Sequence, residues 1–311
     1  MLHKSAELLT KYKNIIKISI SLLFFYVLFV KVINVEELLL AVSGIRYELL
    51  ILCLFIAIVS LLLRSVRWKY MISQSYTVKY LDLTRLYFIG QYYGSITPGK
   101  AGEFIRGYQL QSLTGMTKTE GLISVFFERL YDIVIPIIFI FTAICFKTSL
   151  TVTFCITLIL GVISIISLYT IYNRFVVKRF RSLQTAAGSV RTIVIASALT
   201  IGVWLCYDII AYIILYSLNQ NIVFDLVVFS VFAATLISLV PITIGGWGLR
   251  EGSYIMLLTS VDPTIAVIFS IIFALLSTYF LGLIGMIIEW LHVGGQREYE
   301  SDGVKPAKPG H

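Results

Sequence analysis

Long apolar stretches are the feature that most limits how this chain can fold. They lie at roughly residues 14–33, 47–68, 121–146, 150–172, 191–217 and 264–291. A helix needs about 20 apolar residues to cross the hydrocarbon core of a bilayer. Because 58% of the 311 residues are hydrophobic and only 14% are charged, the composition excludes an ordinary soluble domain. The sequence therefore predicts an all-α polytopic membrane protein with about six full spans.

Two further apolar segments, roughly residues 82–112 and 223–260, are interrupted by Gly and Pro. Such breaks are viable in a bilayer only where protein or a water-filled cavity covers the backbone. Basic residues cluster before the first span, after the second span (with Arg64 and Arg67) and in the loop at 174–191. These clusters share one side only if each broken segment enters and leaves on the same face, and positive charge marks the cytoplasmic side. We therefore predict two re-entrant hairpins, eight hydrophobic segments in all, and cytoplasmic termini in the cytoplasmic membrane.

The two broken segments carry similar breaks, which indicates an internal repeat. The break residues are Thr97, Pro98, Gly99 and Gly102 in the first hairpin and Pro241, Thr243, Gly245, Gly246 and Gly248 in the second. Both follow the spacing T-x-G-x-x-G, and each half reads span, span, hairpin, span. Three full spans are an odd number, so the half at 150–291 is inverted relative to the half at 14–146. An inverted repeat places two broken hairpins together near the midplane, where many transporters bind substrate.

The predicted domain organisation follows from this repeat. Residues 1–291 are expected to form a single integral membrane domain. Residues 292–311 are polar and rich in Gly, and we expect them to be a disordered tail.

Charged residues near the breaks need partners, because a charge near the bilayer centre costs about 2.5–3.5 kcal/mol on insertion scales. The hairpins carry Lys100, Glu103, Arg106, Arg250 and Glu251, and the spans carry Glu128, Arg129, Asp132 and Asp208. A helix that begins after each break directs its positive end and free N–H groups into a cavity. In the functional interpretation, the three hairpin cations bind a lipid phosphate, and the two glutamates orient them or bind a cationic group.

The alternative interpretation is structural. The same charges would form ion pairs that hold the hairpins against the spans, which the sequence favours for Glu128, Arg129 and Asp132. Arg129 and Asp132 are three residues apart, so they share a helix face, as do Glu103 and Arg106. For Asp208, the sequence leaves open a proton relay or a cap on broken backbone.

Nucleotide, metal and histidine chemistry have little support. The stretch GSITPGKAGE fits part of a phosphate-loop pattern, but Ala101 follows Lys100 where a magnesium-binding Ser or Thr is required. The four cysteines lie within apolar stretches, and no histidine lies in a predicted span core. We predict no cofactor, no metal site, no catalytic residue and no nucleic-acid partner. The net charge of +8 fits cytoplasmic loops beside anionic lipid.

Three stretches, TPGKAGEFIR, FFERLYDIV and PITIGGWGLREGSY, resemble in this order the flippase-like membrane region of the lysylphosphatidylglycerol synthases. The resemblance covers roughly residues 14–291 and implies a protein that translocates lipid or is related to lipid-linked glycans. In the full synthases this region is linked to moving an aminoacylated phospholipid between leaflets. The chain ends about 20 residues past its last predicted span. We therefore expect it to lack the aminoacyl-transfer domain and not to be a phosphatidylglycerol lysyltransferase.

The sequence thus predicts a lipid flippase that binds an anionic phospholipid or a lipid-linked headgroup at the midplane. With no ATP site, transport would be downhill or proton-coupled, with Asp208 or Glu103 as the candidate proton carrier. One alternative is a non-transporting membrane partner of a lipid-modifying enzyme or glycosyltransferase. Another is a membrane transferase with Glu103, Asp132 or Asp208 as a catalytic carboxylate. The expected partner is a membrane lipid, and a homodimer is compatible with the sequence.

Overall fold

The computed structural model describes residue 26 and residues 33–72, 76–146, 150–172, 190–240, 242–243 and 246–301. This part of the chain is helical, and no strand occurs in it. The predicted first span lies almost entirely outside the described residues. Most of the loop at 174–191 and two of the predicted break residues, Pro241 and Gly245, lie outside them as well.

The described helices follow one another along the chain. In order they are α1 (Val35–Ser43), α2 (Tyr47–Ile72), α3 (Tyr80–Ile96), α4 (Ile105–Thr114), α5 (Lys118–Phe146), α6 (Leu150–Tyr172), α7 (Val190–Ser217), α8 (Phe224–Ser238), α9 (Leu249–Leu257), α10 (Pro263–Ala274) and α11 (Phe280–Ser301). A 3-10 segment, Pro98–Phe104, joins α3 to α4, and a π turn, Leu275–Tyr279, joins α10 to α11. The last helix continues past residue 291, so part of the predicted tail is helical.

Three helical stretches of the described part are long and apolar enough to cross a membrane. They are Tyr47–Ile72, Arg191–Ser217 and Pro263–Leu291. Each exceeds the length of about 20 residues that a bilayer requires. The predicted all-helical class with several membrane-crossing segments is confirmed.

The helices pack around α2 and α7, whose mutual contact is the most extensive between any two described helices. An aromatic stack connects α5, α7 and α8. The ring of Phe232 on α8 lies between Phe139 of α5 and Trp204 of α7, with ring centroids 4.4 and 4.5 Å apart. All three side chains are buried. Stacked and offset rings of this kind add to the stabilisation that area burial supplies.

The second helix, α2, keeps two arginines inside the bundle. Arg64 and Arg67, assigned from the sequence to the basic cluster after this span, are buried within the helix. The carboxylates of Glu128 and Asp132 on α5 compensate the charge of Arg67 inside the bundle. Arg64 and Arg67 therefore do not mark the end of this helix, which continues to Ile72.

The first broken segment is a helix, a tight break and a short second helix that folds back against the first. At the break, Gly99 and Lys100 have φ values of 60° and 58°. Glycine adopts this left-handed conformation freely, whereas a residue with a Cβ pays roughly 1–2 kcal/mol. The Thr97 hydroxyl accepts the Gly102 N–H at 2.7 Å and donates to the Tyr93 carbonyl at 2.8 Å. The Thr97 hydroxyl thus connects the end of α3 to the backbone that follows the break.

The second broken segment has the same order of helix, break and short helix. Gly246 and Gly248 have φ values of 76° and 84°, and α9 begins directly after them. Thr243, which matches Thr97 in the sequence spacing, is buried, and its hydroxyl has no hydrogen-bond partner in the described residues. Both breaks therefore contain glycine with positive φ, whereas within the described residues the threonine of the second break makes none of the hydrogen bonds that Thr97 makes in the first.

The contact between α4 and α5 yields a test of the fold. Gly107 and Gly121 face each other so closely that a Cβ at either would overlap the other's carbonyl oxygen. We expect Gly121→Ala to lower the free energy of unfolding by about 1–3 kcal/mol, because the added methyl group overpacks the contact. The thermal unfolding temperature in detergent should fall accordingly. Gly252→Ala is the matched control, since that helical glycine has no atom within 4 Å of an added Cβ. Thermal unfolding is followed by size-exclusion chromatography of the heated samples. Equal melting temperatures for the two variants would contradict the close α4–α5 contact.

Candidate functional site

A buried carboxylate, that of Glu128 on α5, is the centre of a group of charges. It accepts hydrogen bonds from the guanidinium groups of Arg67 on α2 and Arg106 on α4. The Tyr87 hydroxyl of α3 donates to it at 2.8 Å. Arg106 also lies 3.9 Å from Glu103, the residue three positions before it. One carboxylate thus joins four helices.

The next residue of α5, Arg129, extends this network to the hairpin break. Its guanidinium pairs with Glu103 and lies 3.2 Å from Asp132. Asp132 in turn accepts from Arg67 at 2.7 Å, and the same arginine nitrogen donates to the Thr200 hydroxyl of α7 at 2.7 Å. Each carboxylate therefore has at least one guanidinium partner, as burial of charge requires.

Aromatic rings enclose Arg106. The guanidinium carbon lies 3.9 Å from the Tyr87 ring centroid and 4.9 Å from the Trp68 ring. The face of an aromatic ring carries partial negative charge and stabilises a desolvated cation. Gly90 leaves room for this side chain, because a Cβ there would lie 3.1 Å from the Arg106 Cδ. The rings of Tyr87 and Trp68 thus cover the Arg106 side of the network.

A cavity of about 240 Å³ lies beside the network. The first hairpin contributes Gly99, Lys100 and Phe104 to its lining, and the second contributes Ser238, Leu239 and Arg250. The charged lining residues are Arg64, Lys100, Arg129, Asp132 and Arg250, and the aromatic ones are Phe104, Phe126, Trp204, Tyr207 and Phe273. Among the described lining residues, four cations face a single carboxylate. The charged part of the lining is therefore mostly positive, and apolar side chains and hydroxyl groups form the rest.

Arg250 is held at the cavity by its neighbour. Its guanidinium lies 2.9 Å from the Glu251 carboxylate, which also accepts from the Ser270 hydroxyl at 3.0 Å. The other oxygen of Glu251 accepts the Gly248 N–H at 2.5 Å, at the start of α9. Glu251 thus caps the short helix and orients the arginine with the same carboxylate.

The predicted site residues fall into two groups. Lys100, Arg129, Asp132 and Arg250 line the cavity, together with the break residue Gly99. Glu103, Arg106, Glu128 and Glu251 contact other side chains rather than the cavity. The structure therefore brings the charges of both hairpins together and divides them into lining and supporting residues. Ligand binding by these residues stays a prediction.

Asp208 lies apart from both groups. Its side chain in α7 is fully buried, and neither carboxylate oxygen has a hydrogen-bond partner in the described part of the chain. The Tyr254 hydroxyl of α9 is likewise buried without a partner in the described residues. Proton transfer at Asp208 stays a prediction. The described residues also contain no group of three or more His, Cys, Asp and Glu that could hold a metal ion.

Two charged residues of the site were not predicted as site residues from the sequence. Arg64 lines the cavity and Arg67 binds Glu128 and Asp132. Their spacing of three residues places them on one helix face, and the apolar pattern continues past them to Ile72. That continuation is the signal that could have identified them as buried.

The network yields a test at its centre. We expect Glu128→Gln to destabilise the protein strongly, because it leaves two guanidinium groups buried without their shared carboxylate. Breaking such a buried pair costs about 3–5 kcal/mol. Glu48→Gln, at an exposed carboxylate in the first turn of α2, is the control and should melt like the wild type. Equal melting temperatures for both variants in detergent would show that Glu128 does not hold the helices together.

Comparison with known proteins places this arrangement in a family. The family described as the lysylphosphatidylglycerol synthase TM region matches residues 14–285, which include both hairpins and the charged network. The chain is also similar to the UPF0104 membrane protein MJ1078 of Methanocaldococcus jannaschii. The two are 27% identical over 216 residues, which cover 63% of this chain and 92% of the relative. This multi-pass membrane protein therefore belongs to the lysylphosphatidylglycerol synthase transmembrane-region family.

Proposed function

We propose that this protein binds an anionic lipid headgroup in the cavity between its two hairpins and moves the lipid between the leaflets. The observation that carries the proposal is the cavity lining, in which cations from both hairpins face a single carboxylate in the described part of the chain. An anion there neutralises charge that is costly in an apolar interior. The hairpin tips supply Lys100 and Arg250, so a bound headgroup contacts both halves of the protein.

The apolar part of the lining supports a lipid rather than a small soluble anion. Phe104, Phe126 and Phe273 lie on the same cavity as the cations. Ligand sites commonly combine a largely apolar surface with a few charged groups that fix orientation. A lipid presents both parts, since its phosphate meets the cations while the adjoining glycerol and acyl region meets the rings.

The packing of the two halves supports an inverted repeat with six spans and two re-entrant hairpins. In the first hairpin α3 packs against α11 of the second half, and in the second hairpin α8 packs against α5 of the first half. The equivalent helices α2 and α7 pack against each other. This reciprocal exchange fits a pseudo-two-fold relation, in which one half rocks against the other around a fixed site. In this proposal the protein lies in the cytoplasmic membrane, and both of its termini are on the cytoplasmic side.

Energy for the movement comes from the lipid gradient or from protons in this proposal. Asp208 is the candidate proton carrier, because its carboxylate is buried without a hydrogen-bond partner in the described residues. A buried ionisable group within a membrane helix marks a functional site more often than a surface one.

Lipid movement in vesicles tests this function. Purified protein is reconstituted with a fluorescent phosphatidylglycerol, and dithionite added outside reports how fast the inner-leaflet lipid emerges. We expect the double variant Lys100→Gln, Arg250→Gln to slow this by about tenfold or more, since each hydrogen bond to a charged group is worth about 1.5–3 kcal/mol. The control is the double variant Arg46→Gln, Lys79→Gln, which removes two exposed cations outside the cavity.

Two results would contradict the proposal. If wild-type vesicles lose fluorescence no faster than protein-free vesicles, the protein does not translocate this lipid, and a non-transporting partner of a lipid-modifying enzyme becomes the better interpretation. If the cavity variant moves lipid as fast as the wild type, the cavity is not the route.

A further inference from the structure

Two of the cations that line the cavity form no salt bridge with a carboxylate of the described residues. The side chains of Arg64 and Lys100 make no ion pair and no hydrogen bond with the described residues. Arg129 and Arg250, in contrast, pair with Glu103 and Glu251. The cavity therefore contains both satisfied and unsatisfied positive charge.

Of the two cations, Arg64 is the more deeply buried and therefore has the greater need for a compensating charge. Its side chain lies in the middle of the bundle on α2 and only 6% of the residue is exposed. The guanidinium carbon lies 5.0 Å from the ring centroid of Tyr207, which also lines the cavity, and the buried Nε atom has no hydrogen-bond partner in the described chain. An aromatic face offsets only part of the cost of burying a full charge. The remaining free surface of this cation is the cavity.

The charges of the buried network and of the cavity lining beside it do not balance. Among the described residues these are the cations Arg64, Arg67, Lys100, Arg106 and Arg129 and the carboxylates Glu103, Glu128 and Asp132. Five cations against three carboxylates leave a surplus of two positive charges. Arg250 and Glu251 form their own pair and do not change this surplus.

We infer that the cavity binds a phosphate monoester headgroup, with Arg64 and Lys100 as the residues that hold it. A terminal phosphate carries about 1.5–2 negative charges at neutral pH, which matches the surplus. A phosphodiester carries a single negative charge, and an aminoacylated headgroup adds positive charge, so either leaves the surplus uncompensated. The inference rests on the proposed function and specifies its substrate class.

The two side chains suit this ligand in different ways. A guanidinium presents a planar fork of N–H donors that binds two phosphate oxygens at once. A lysine ammonium is a compact charge that contacts one oxygen. Arg64 comes from a central helix, whereas Lys100 occupies the left-handed break of the first hairpin. A phosphate held by both would connect the hairpin tip to the core of the bundle.

Binding measured by native mass spectrometry tests the inference. Purified protein in detergent is titrated with phosphatidic acid, a monoester, and with phosphatidylglycerol, a diester, that carries the same acyl chains. We expect wild type to retain phosphatidic acid at least tenfold more tightly. Arg64→Gln and Lys100→Gln should each remove most of this preference while retaining phosphatidylglycerol. Lys100→Gln alters a half-exposed side chain without an internal partner in the described residues, so it decides the question if Arg64→Gln fails to fold.

Matched controls are available for both substitutions. Arg46 also lies over a tyrosine ring, that of Tyr216 at 5.2 Å, but it is exposed and does not line the cavity. Lys79 is an exposed lysine just before α3. Arg46→Gln and Lys79→Gln should both keep the wild-type preference.

The outcomes separate this inference from the proposed function. Equal retention of the two lipids, with both lost in Lys100→Gln, would overturn the monoester assignment and leave headgroup binding in place. Retention of neither lipid would overturn both. A water-soluble monoester, glycerol 3-phosphate, is titrated in parallel. If glycerol 3-phosphate binds as tightly as phosphatidic acid, the result would support a monoester site and contradict the assignment of a lipid as its ligand.

Discussion

An ionised carboxylate buried inside a membrane helix needs cationic partners, and the requirement set by Glu128 shapes the packing around the first hairpin. Arg67 and Arg106 reach it from two other helices, and Tyr87 reaches it from a third. Burial of an ion pair is not by itself strongly stabilising, because desolvation offsets the Coulombic attraction. Its effect is to exclude other arrangements, since any packing that separates these groups leaves a charge unpaired. The charge pairing therefore favours the observed packing of the first hairpin against α2 and α5.

The position of the cavity follows from this arrangement. Arg129 and Asp132 belong both to the network and to the cavity lining, so the packing that satisfies Glu128 also sets one side of the cavity. The second hairpin is held differently, because Glu251 pairs with Arg250 and caps its own helix. The hairpins thus share an order of elements but not a charge pattern. The unpaired positive charge lies on the side of the first hairpin.

Much of this architecture could be predicted from the sequence. The spans that became α5, α6 and α7 have boundaries close to the predicted ones, because apolar length alone sets them. The Gly and Pro content located both breaks. Pairs on one helix, such as Arg129 with Asp132, could be predicted from their spacing. These features depend on neighbours along the chain.

Features that depend on packing between helices could not be predicted. Arg67 and Glu128 are 61 positions apart, and only the packing of α2 against α5 brings them together. Without that contact, two arginines near the end of an apolar stretch indicate the membrane boundary. The motif PGK indicated a break, but not that Lys100 itself takes a left-handed conformation beside Gly99. The supporting role of Glu103 and Arg106 likewise depends on which helix lies opposite.

The central claim is that the cavity between the hairpins holds an anionic headgroup. Electron cryomicroscopy of the protein in nanodiscs that contain phosphatidic acid tests it most directly. We predict phosphate density in the cavity, within hydrogen-bond distance of Arg64 and Lys100, with both hairpin breaks beside it. A cavity without phosphate density, in which either cation is instead paired with a carboxylate of the protein, would contradict the account.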